Sequence, residues 1–236
     1  MSLLCLDSVV RSFSPRPGGA SPKVVLDGLN LEIGAGEVAA LVGRSGAGKT
    51  TILHLAAGLC RPSQGRVLFE GTDLEEFSPG DLSRLRRDRI GLVFQNNLCL
   101  STLPVWENAA LGLLMGRFGD HAHARRRAEE TLERVGLGGF GQAATSTLSG
   151  GQRRRLGIAR AMLGRPALLL ADEPTADLDE ETGTQIEELV FDWLAQSGVA
   201  ALIVTHSISI QRRADRVLKL DGGRLSELDR EGSEAR

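Results

Sequence analysis

The sequence feature that most constrains this chain is the segment 43–50, which reads G-x-x-x-x-G-K-T. The apolar run 38–42 precedes it and is typical of a buried strand, and residues 50–59 are typical of a helix. A phosphate-binding loop requires this strand–loop–helix context. Its glycines allow a tight curl that points backbone N–H groups inward, and the positive end of the new helix faces the same spot. The alternative, an ordinary glycine-rich turn, is disfavoured because the fixed positions rarely coincide by chance.

Two side chains of this loop carry the predicted chemistry. Lys49 would reach the β- and γ-phosphates of a nucleoside triphosphate, and the Thr50 hydroxyl would hold Mg²⁺. The sequence therefore predicts a nucleotide-binding protein.

Size and charge narrow the class of protein further. The chain has 236 residues, enough for one large domain or two small ones. Its net charge of −2 gives no global field that favours nucleic acid. The basic runs 125–127 and 153–155 are interpreted as solvated helix faces. No apolar run reaches the roughly 18 residues of a membrane span, which indicates a cytosolic protein or a soluble subunit docked on a partner.

Strands and helices alternate along most of the chain, which predicts a mainly parallel sheet covered on both faces. Residues 3–10 and 24–33 are expected to form an antiparallel layer, although Asp27 and Gly28 are a turn signal. The other predicted strands are 38–42, 67–71, 90–94, 167–171, 200–204 and 217–220. The predicted helices are 50–59, 81–89, 105–115, 121–135, 148–163 and 180–196, with a loop at 14–22 and fraying over 225–236.

Polar side chains follow three of the predicted strands. Asp172 and Glu173 close the apolar strand 167–171, while Gln95 and His206 follow two others. Parallel sheets bind ligands at the carboxyl ends of their strands, so these residues are expected to share one site. Taken singly, each has a plain alternative: solvated acids, a surface glutamine or a structural histidine.

Each of these residues fits a step of triphosphate chemistry. Asp172 would hold Mg²⁺ directly or through water, and Glu173 would polarise a water for in-line attack. Gln95 would reach Mg²⁺ or that water through its amide oxygen. His206 would donate a hydrogen bond to the γ-phosphate.

A second candidate anion site begins at Ser149, where a hydroxyl and the flexible Gly150 and Gly151 open a helix. The alternative is a simple N-cap, with Ser149 preceding its helix. One phosphate cradle already exists upstream, so a second one requires a reason.

The combination of these segments resembles the ATP-binding cassette (ABC) ATPases. The segment 148–152 reads L-S-G-G-Q, the signature motif of that family, and 43–50, Gln95, 168–172, Glu173, 176–179 and His206 match its other motifs in order. The resemblance covers nearly the whole chain. It implies an α/β fold: a P-loop NTPase (RecA-like) core with a mainly parallel sheet, an antiparallel β-subdomain and a helical subdomain. It also implies that residues 1–236 are one domain, with the helical subdomain at about 96–160.

The resemblance further implies ATP and Mg²⁺ as cofactors and a head-to-tail dimer, most simply of two identical subunits. In such a dimer one subunit's signature closes over ATP held by the other's P-loop, which explains the second cradle. The implied ATP-binding residues are Phe13, Gly43, Arg44, Ser45, Gly46, Ala47, Gly48, Lys49, Thr50 and Thr51. The implied contacts to the facing subunit's ATP are Ser149, Gly150, Gly151, Gln152 and Asp179. The implied metal ligands are Thr50, Gln95 and Asp172. The implied catalytic residues are Glu173, His206, Gln95 and Lys49.

Some positions depart from the family pattern. Phe13 stands where relatives often stack adenine on tyrosine, and Leu100-Ser101 and Pro104-Val105 occupy a stretch that normally faces the membrane subunit.

Within the family the chain looks like the ATPase subunits of lipoprotein-release, macrolide-export and cell-division systems. The features are Glu107-Asn108, the segment 171–175 and the ending 221–225. This resemblance implies a bacterial subunit that energises a separate permease from the cytoplasmic side of the inner membrane, without nucleic acid. The alternatives are a non-transporting complex that regulates cell-wall hydrolysis or cell division, an ABC-type ATPase of DNA or ribosomes, and a non-catalytic switch.

Overall fold

The order of strands and helices follows the alternation that the sequence predicts. The computed structural model describes residues 2–13, 22–95, 99–116 and 120–228, so most of the predicted loop at 14–22 lies outside the described residues. The elements are β1 (Ser2–Phe13), β2 (Lys23–Gly34), β3 (Val38–Gly43), α1 (Lys49–Ala56), β4 (Gln64–Phe69), β5 (Thr72–Asp73), α2 (Pro79–Arg89), β6 (Ile90–Val93), α3 (Val105–Leu114), α4 (His121–Arg134), α5 (Gly150–Leu163), β7 (Leu168–Asp172), α6 (Glu180–Ser197), β8 (Ala200–Val204), α7 (Ile208–Arg213), β9 (Arg216–Asp221) and β10 (Arg224–Leu228).

The chain divides into two units, one formed by residues 1–83 with 200–236 and the other by residues 84–199. In the first unit, β1 pairs antiparallel with β2 and β4, in a sheet of order β2-β1-β4-β5. This sheet confirms the predicted antiparallel layer. A second set of strands places β3 between β8 and β9, both parallel to it.

The turn signal inside β2 does not make a turn. Asp27 and Gly28 lie within one continuous strand, and Gly28 takes a left-handed φ of +64°. The pairing with β1 shifts register there, between Val9–Leu29 and Arg11–Leu26. Such a register shift is a β-bulge, which bends a strand without ending it.

The strand β3 is apolar because it is buried on both faces. Ala39, Ala40 and Leu41 have no exposed surface, and neither has Leu202 on the neighbouring β8. Strands inside parallel sheets read as continuous apolar runs for this reason.

The prediction that residues 225–236 fray is wrong as far as residue 228. The strand β10 pairs antiparallel with β9 through a turn at Gly222 and Gly223. Charged side chains suit an exposed edge strand, so composition alone did not reveal it.

The second unit combines a strand pair with packed helices. β6 and β7 are parallel, with Val93 opposite Ala171, and α5 packs against β6. The helices α3, α4 and α5 pack on one another. Across all described residues, every helix is too short or too polar to cross a bilayer.

One buried amide organises the start of this helical region. Asn108 has no exposed surface, and its Oδ1 accepts a hydrogen bond from Leu100 N at 2.8 Å. Its Nδ2 lies 2.9 Å from Leu100 O, 3.0 Å from Leu103 O and 2.8 Å from Thr145 Oγ1. The Asn108 side chain therefore links several backbone groups of the turn before α3, and Thr145 Oγ1 adds a hydrogen bond to Leu103 O at 2.8 Å.

We predict that Asn108→Ala lowers the free energy of unfolding by about 2–3 kcal/mol, because it removes the hydrogen bonds that this fully buried amide makes to Leu100, Leu103 and Thr145. Asn30→Ala is the matched control: Asn30 also accepts a backbone N–H, from Ser8 at 2.8 Å, but it is exposed and water can replace it. Urea denaturation of both variants measures the difference. Equal losses of stability would contradict the structural role of Asn108.

Candidate functional site

The loop after β3 packs tightly against two neighbouring strands of the first unit. A Cβ on Gly43 would lie 2.5 Å from the backbone oxygen of Leu220, and one on Gly48 would lie 2.7 Å from Val25 Cγ1. Gly48 also takes a φ of +112°, which L side chains rarely adopt. These two glycines fix the curl of the loop, so the predicted requirement for glycine there has a steric cause.

The Lys49 side chain donates hydrogen bonds to the backbone of this loop. Its Nζ donates to Gly43 O at 2.7 Å and to Arg44 O at 3.1 Å, and the residue is only 8% exposed. Lys49 is also the first residue of α1, which has neither a side-chain cap nor an acidic residue in its first turn. The positive end of α1 and the Lys49 ammonium therefore both lie at the loop 43–50, and this combination favours binding of a phosphate.

His206 lies at the same edge as this loop. β8 runs parallel to β3 with Val204 opposite Leu41, so both chains leave the sheet on one side. Thr205 is held there by Leu41, whose carbonyl accepts its N–H at 3.2 Å, and His206 follows as an exposed residue. The structure thus brings His206 and the P-loop to one edge, as the strand-end interpretation predicts.

Phe13 ends β1 and is 46% exposed. It pairs with Lys23 on β2, two residues before the Val25 side chain that limits the space at Gly48. The Arg11 guanidinium lies 4.7 Å from the centre of the ring and covers one face of it. An aromatic platform is therefore present on the strand that neighbours the P-loop support.

In the second unit, Asp172, Glu173 and Gln95 lie at one strand edge. Asp172 ends β7 and is 6% exposed. Glu173 follows with a left-handed φ of +49° and is partly exposed. Gln95 comes two residues after β6, which is parallel to β7, and is exposed. The parallel pairing places these three side chains at the same end of the strand pair.

Ser149 is an N-cap, and its cap is reciprocal. Its Oγ accepts from Gln152 N at 3.2 Å, while Gln152 Oε1 accepts from Ser149 N at 2.9 Å. The simple N-cap interpretation is therefore true of this structure, and it does not exclude anion binding. The hydroxyl is the acceptor in this bond, so its proton can point outward beside the exposed Gly150.

A concavity of about 440 Å³ opens in front of this helix start. Its wall includes Gly151, Asp177, Asp179 and Arg155. Asp179 caps α6 by accepting from Thr182 N at 2.9 Å, and that hydrogen bond lowers the pKa of its carboxyl. The signature and the segment before α6 therefore form one surface.

The interpretation of residues 153–155 as a solvated basic face is wrong for Arg154. This residue is 3% exposed, and its guanidinium donates to the carbonyls of Phe94, Gln95 and Ala176. Arg155 is partly buried and donates to Val135 O and Gln185 Oε1. A run of arginines on a helix contains no signal for which member points inward, so only the packing reveals it.

The site residues thus form two sets. Phe13, the P-loop and His206 belong to the first unit; Gln95, Asp172, Glu173, the signature and Asp179 belong to the second. The prediction that both sets meet at one nucleotide stays a prediction. Within the described residues, no group of three or more histidine, cysteine, aspartate and glutamate side chains forms a metal cage.

Comparison with known protein families gives a match over more than half of the chain. The model of the family described as "ABC transporter" matches residues 26–176. This range contains the P-loop, Gln95, the signature, Asp172 and Glu173.

Individual relatives agree with this match. The "Lipoprotein-releasing system ATP-binding protein LolD" of Pseudomonas syringae pv. tomato is 44% identical over 209 residues, 89% of this chain and 92% of that protein. The "Methionine import ATP-binding protein MetN" of Rhizobium johnstonii is 44% identical over 203 residues, 86% of this chain but 56% of that protein. A solved dimer of the ATP-binding cassette MJ0796 with ADP and Pi superposes with a TM-score of 0.86 at 32% identity, covering 94% of this chain and 96% of that one.

The two signature glycines provide a test of the local geometry. A Cβ on Gly151 would lie 2.8 Å from Thr182 Cγ2, whereas one on Gly150 meets nothing within 4 Å. We predict that Gly150→Ala leaves the free energy of unfolding unchanged or raises it by up to about 1 kcal/mol through helix propensity. Gly151→Ala lowers it by about 1–2 kcal/mol through overpacking.

Thr182→Ser removes the clashing methyl group and keeps the hydroxyl. In thermal denaturation, the double variant Gly151→Ala with Thr182→Ser therefore regains most of the loss. A Gly151→Ala variant as stable as Gly150→Ala would show that this contact is not tight in solution.

Proposed function

This chain belongs to the ABC transporter family, and we propose on that premise how it works. It binds ATP and is an ATPase subunit of a transporter. We propose that two copies close as a dimer on ATP and thereby drive a separate permease in lipoprotein release. The observation that carries the proposal is the placement of phosphate-binding and acidic groups at the ends of parallel strands. The P-loop and His206 share such an edge in one unit, and Gln95, Asp172 and Glu173 share one in the other.

We propose the following contacts for ATP. The P-loop backbone and Lys49 hold the β- and γ-phosphates, because the buried ammonium already lies inside the loop, 2.7 Å from Gly43 O. Phe13 stacks on adenine with the ring face that Arg11 leaves open. The hydroxyl of Thr50 and the side chains of Gln95 and Asp172 would hold Mg²⁺.

The donor set fits this metal. Hydroxyl, amide and carboxylate oxygens are the ligands that Mg²⁺ prefers, and it commonly keeps waters and substrate phosphates instead of an all-protein cage. When bound, Mg²⁺ neutralises charge on the phosphate oxygens. Asp172 is held for this purpose at the end of a strand whose five residues are all buried.

The hydrolytic step is assigned to Glu173. Its carboxylate orients a water and accepts a proton from it, while the water oxygen attacks the γ-phosphorus and the bond to the leaving ADP oxygen breaks. The left-handed backbone at Glu173, with φ of +49°, turns the chain directly after β7. His206 donates a hydrogen bond to the γ-phosphate and loses it when phosphate leaves.

The second candidate anion site, at Ser149, is the reason for proposing a dimer. Ser149, Gly150, Gly151, Gln152 and Asp179 would contact ATP held by the P-loop of a second copy. The dimeric state of the MJ0796 cassette supports this arrangement. Each nucleotide then lies between two subunits, so binding of ATP favours closure and hydrolysis favours opening.

We assign residues 1–236 to one cassette, with a helical subdomain at about 96–160 that contacts the permease. The chain would then act at the cytoplasmic side of the inner membrane. Lipoprotein release is supported by the LolD relative, which aligns over 92% of its own length. Methionine import is the second candidate, because a MetN protein is equally identical over the shared region.

Glu173→Gln tests the catalytic assignment. We expect ATP binding to persist, turnover to fall by at least about 100-fold, and the ATP-bound dimer to become stable enough for size-exclusion chromatography. Lys49→Ala should show the opposite pattern, with loss of ATP affinity in titration calorimetry. Parental turnover in Glu173→Gln would remove Glu173 as the base.

Reconstitution tests the cargo. The chain, assembled with the permease that co-purifies with it, is placed in proteoliposomes that carry an acylated lipoprotein. ATP should release the lipoprotein to a soluble acceptor, and Glu173→Gln should abolish release. ATP-dependent uptake of methionine without lipoprotein release would favour the import alternative.

A further inference from the structure

Arg154 joins three segments of the second unit. From the signature helix α5, its Nη1 donates to Phe94 O and Gln95 O, both at 2.9 Å, and its Nη2 donates to Ala176 O at 3.2 Å. The first two carbonyls follow β6, and the third follows β7. One guanidinium therefore connects the signature helix to the loops that carry Gln95 and the segment 176–179.

The burial of this charge is costly. Arg154 is 3% exposed, its Nε has no hydrogen-bond partner among the described residues, and desolvation lowers its pKa. The charge of Asp177 acts in the opposite direction but forms no ion pair with it among the described residues. Three carbonyl dipoles are thus the main compensation for a buried cation, and breaking them would leave it unpaired.

The loop after β7, which Arg154 contacts at Ala176, has an irregular backbone. Asp177 has a left-handed φ of +63°, and Glu173, whose carbonyl accepts from Ala176 N at 3.1 Å, has a φ of +49°. Backbone in such conformations persists only when its surroundings hold it. Ala176, whose carbonyl accepts the hydrogen bond from Arg154, lies between Glu173 and Asp177 in the sequence.

We propose that Arg154 is a positioning residue for ATP turnover. Its guanidinium fixes the backbone of Gln95 and of Ala176 against the signature helix, so that the Gln95 side chain and the segment 177–179 keep their working geometry. Arg154 touches neither nucleotide nor water in this role. The inference rests on the proposed function, in which Gln95 and Asp179 serve ATP.

The shape of the guanidinium makes the proposal specific. Its two terminal nitrogens reach carbonyls of two separate loops at once, whereas a lysine offers one nitrogen. Arg154→Lys keeps the charge and loses the span, and Arg154→Gln loses both. If only the positive charge is required, Arg154→Lys keeps the parental kcat. If contact with both loops is required, Arg154→Lys lowers kcat.

The experiment compares Arg154→Lys and Arg154→Gln with the matched controls Arg126→Lys and Arg126→Gln. Arg126 is exposed on α4, and its hydrogen-bond partner is His123 on the same helix. We expect kcat for ATP to fall about 10–100-fold in both Arg154 variants, with the calorimetric Kd for ATP changed less than about 3-fold. The Arg126 variants should keep the parental kcat.

Hydrogen exchange separates positioning from general destabilisation. Peptides that contain residues 94–95 and 176–179 should exchange faster in the Arg154 variants, while peptides from β3 and β8 should be unchanged. If Arg154→Gln does not fold, Arg154→Lys decides. Parental kcat in Arg154→Lys, or unchanged exchange in both loops, would overturn the proposal.

The exchange readout does not need ATPase activity. A wild-type chain that hydrolyses no ATP, yet shows the localised exchange in the Arg154 variants, would refute the proposed function and keep the backbone role of Arg154.

Discussion

The parallel pairing of buried strands is the constraint on which the other features depend. Parallel strands leave the sheet on the same side, so the loops that follow them lie at a common edge. β3 beside β8 sets the P-loop next to His206, and β6 beside β7 sets Gln95 next to Asp172 and Glu173. The strands can do this because their side chains are apolar on both faces, as the fully buried β7 and β8 show.

Two cations, Lys49 and Arg154, are buried in these surroundings, where backbone carbonyls accept their hydrogen bonds. Lys49 is buried against Gly43 O and Arg44 O, Arg154 against Phe94 O, Gln95 O and Ala176 O. A buried charge without such partners would be strongly unfavourable. The two cations differ in their surroundings, because Lys49 lies at a loop that an anion can enter, whereas Arg154 is enclosed by backbone. This difference separates a ligand-binding role from a positioning role.

The sequence was most informative where chemistry and local geometry coincide. The run 38–42 and the glycines of 43–50 predicted a strand and a loop, and the structure shows the crowding at Gly43 and Gly48 that requires glycine. Prediction failed where tertiary contacts override a local signal. Asp27 and Gly28 favour a turn, but pairing with β1 keeps them in a strand. The charged residues of β10 favour disorder, but pairing with β9 orders them.

The sequence alone determined the motifs, their order and the element that carries each, because hydrophobic periodicity and glycine placement are local properties. It thereby determined the family and the ATPase activity. Only the tertiary structure decided which arginine of 153–155 turns inward and which amide holds the turn before α3. The physical reason is that burial depends on what packs from elsewhere in the chain: Arg154 is defined by carbonyls that lie about 60 and 22 residues away, and no local pattern encodes such contacts.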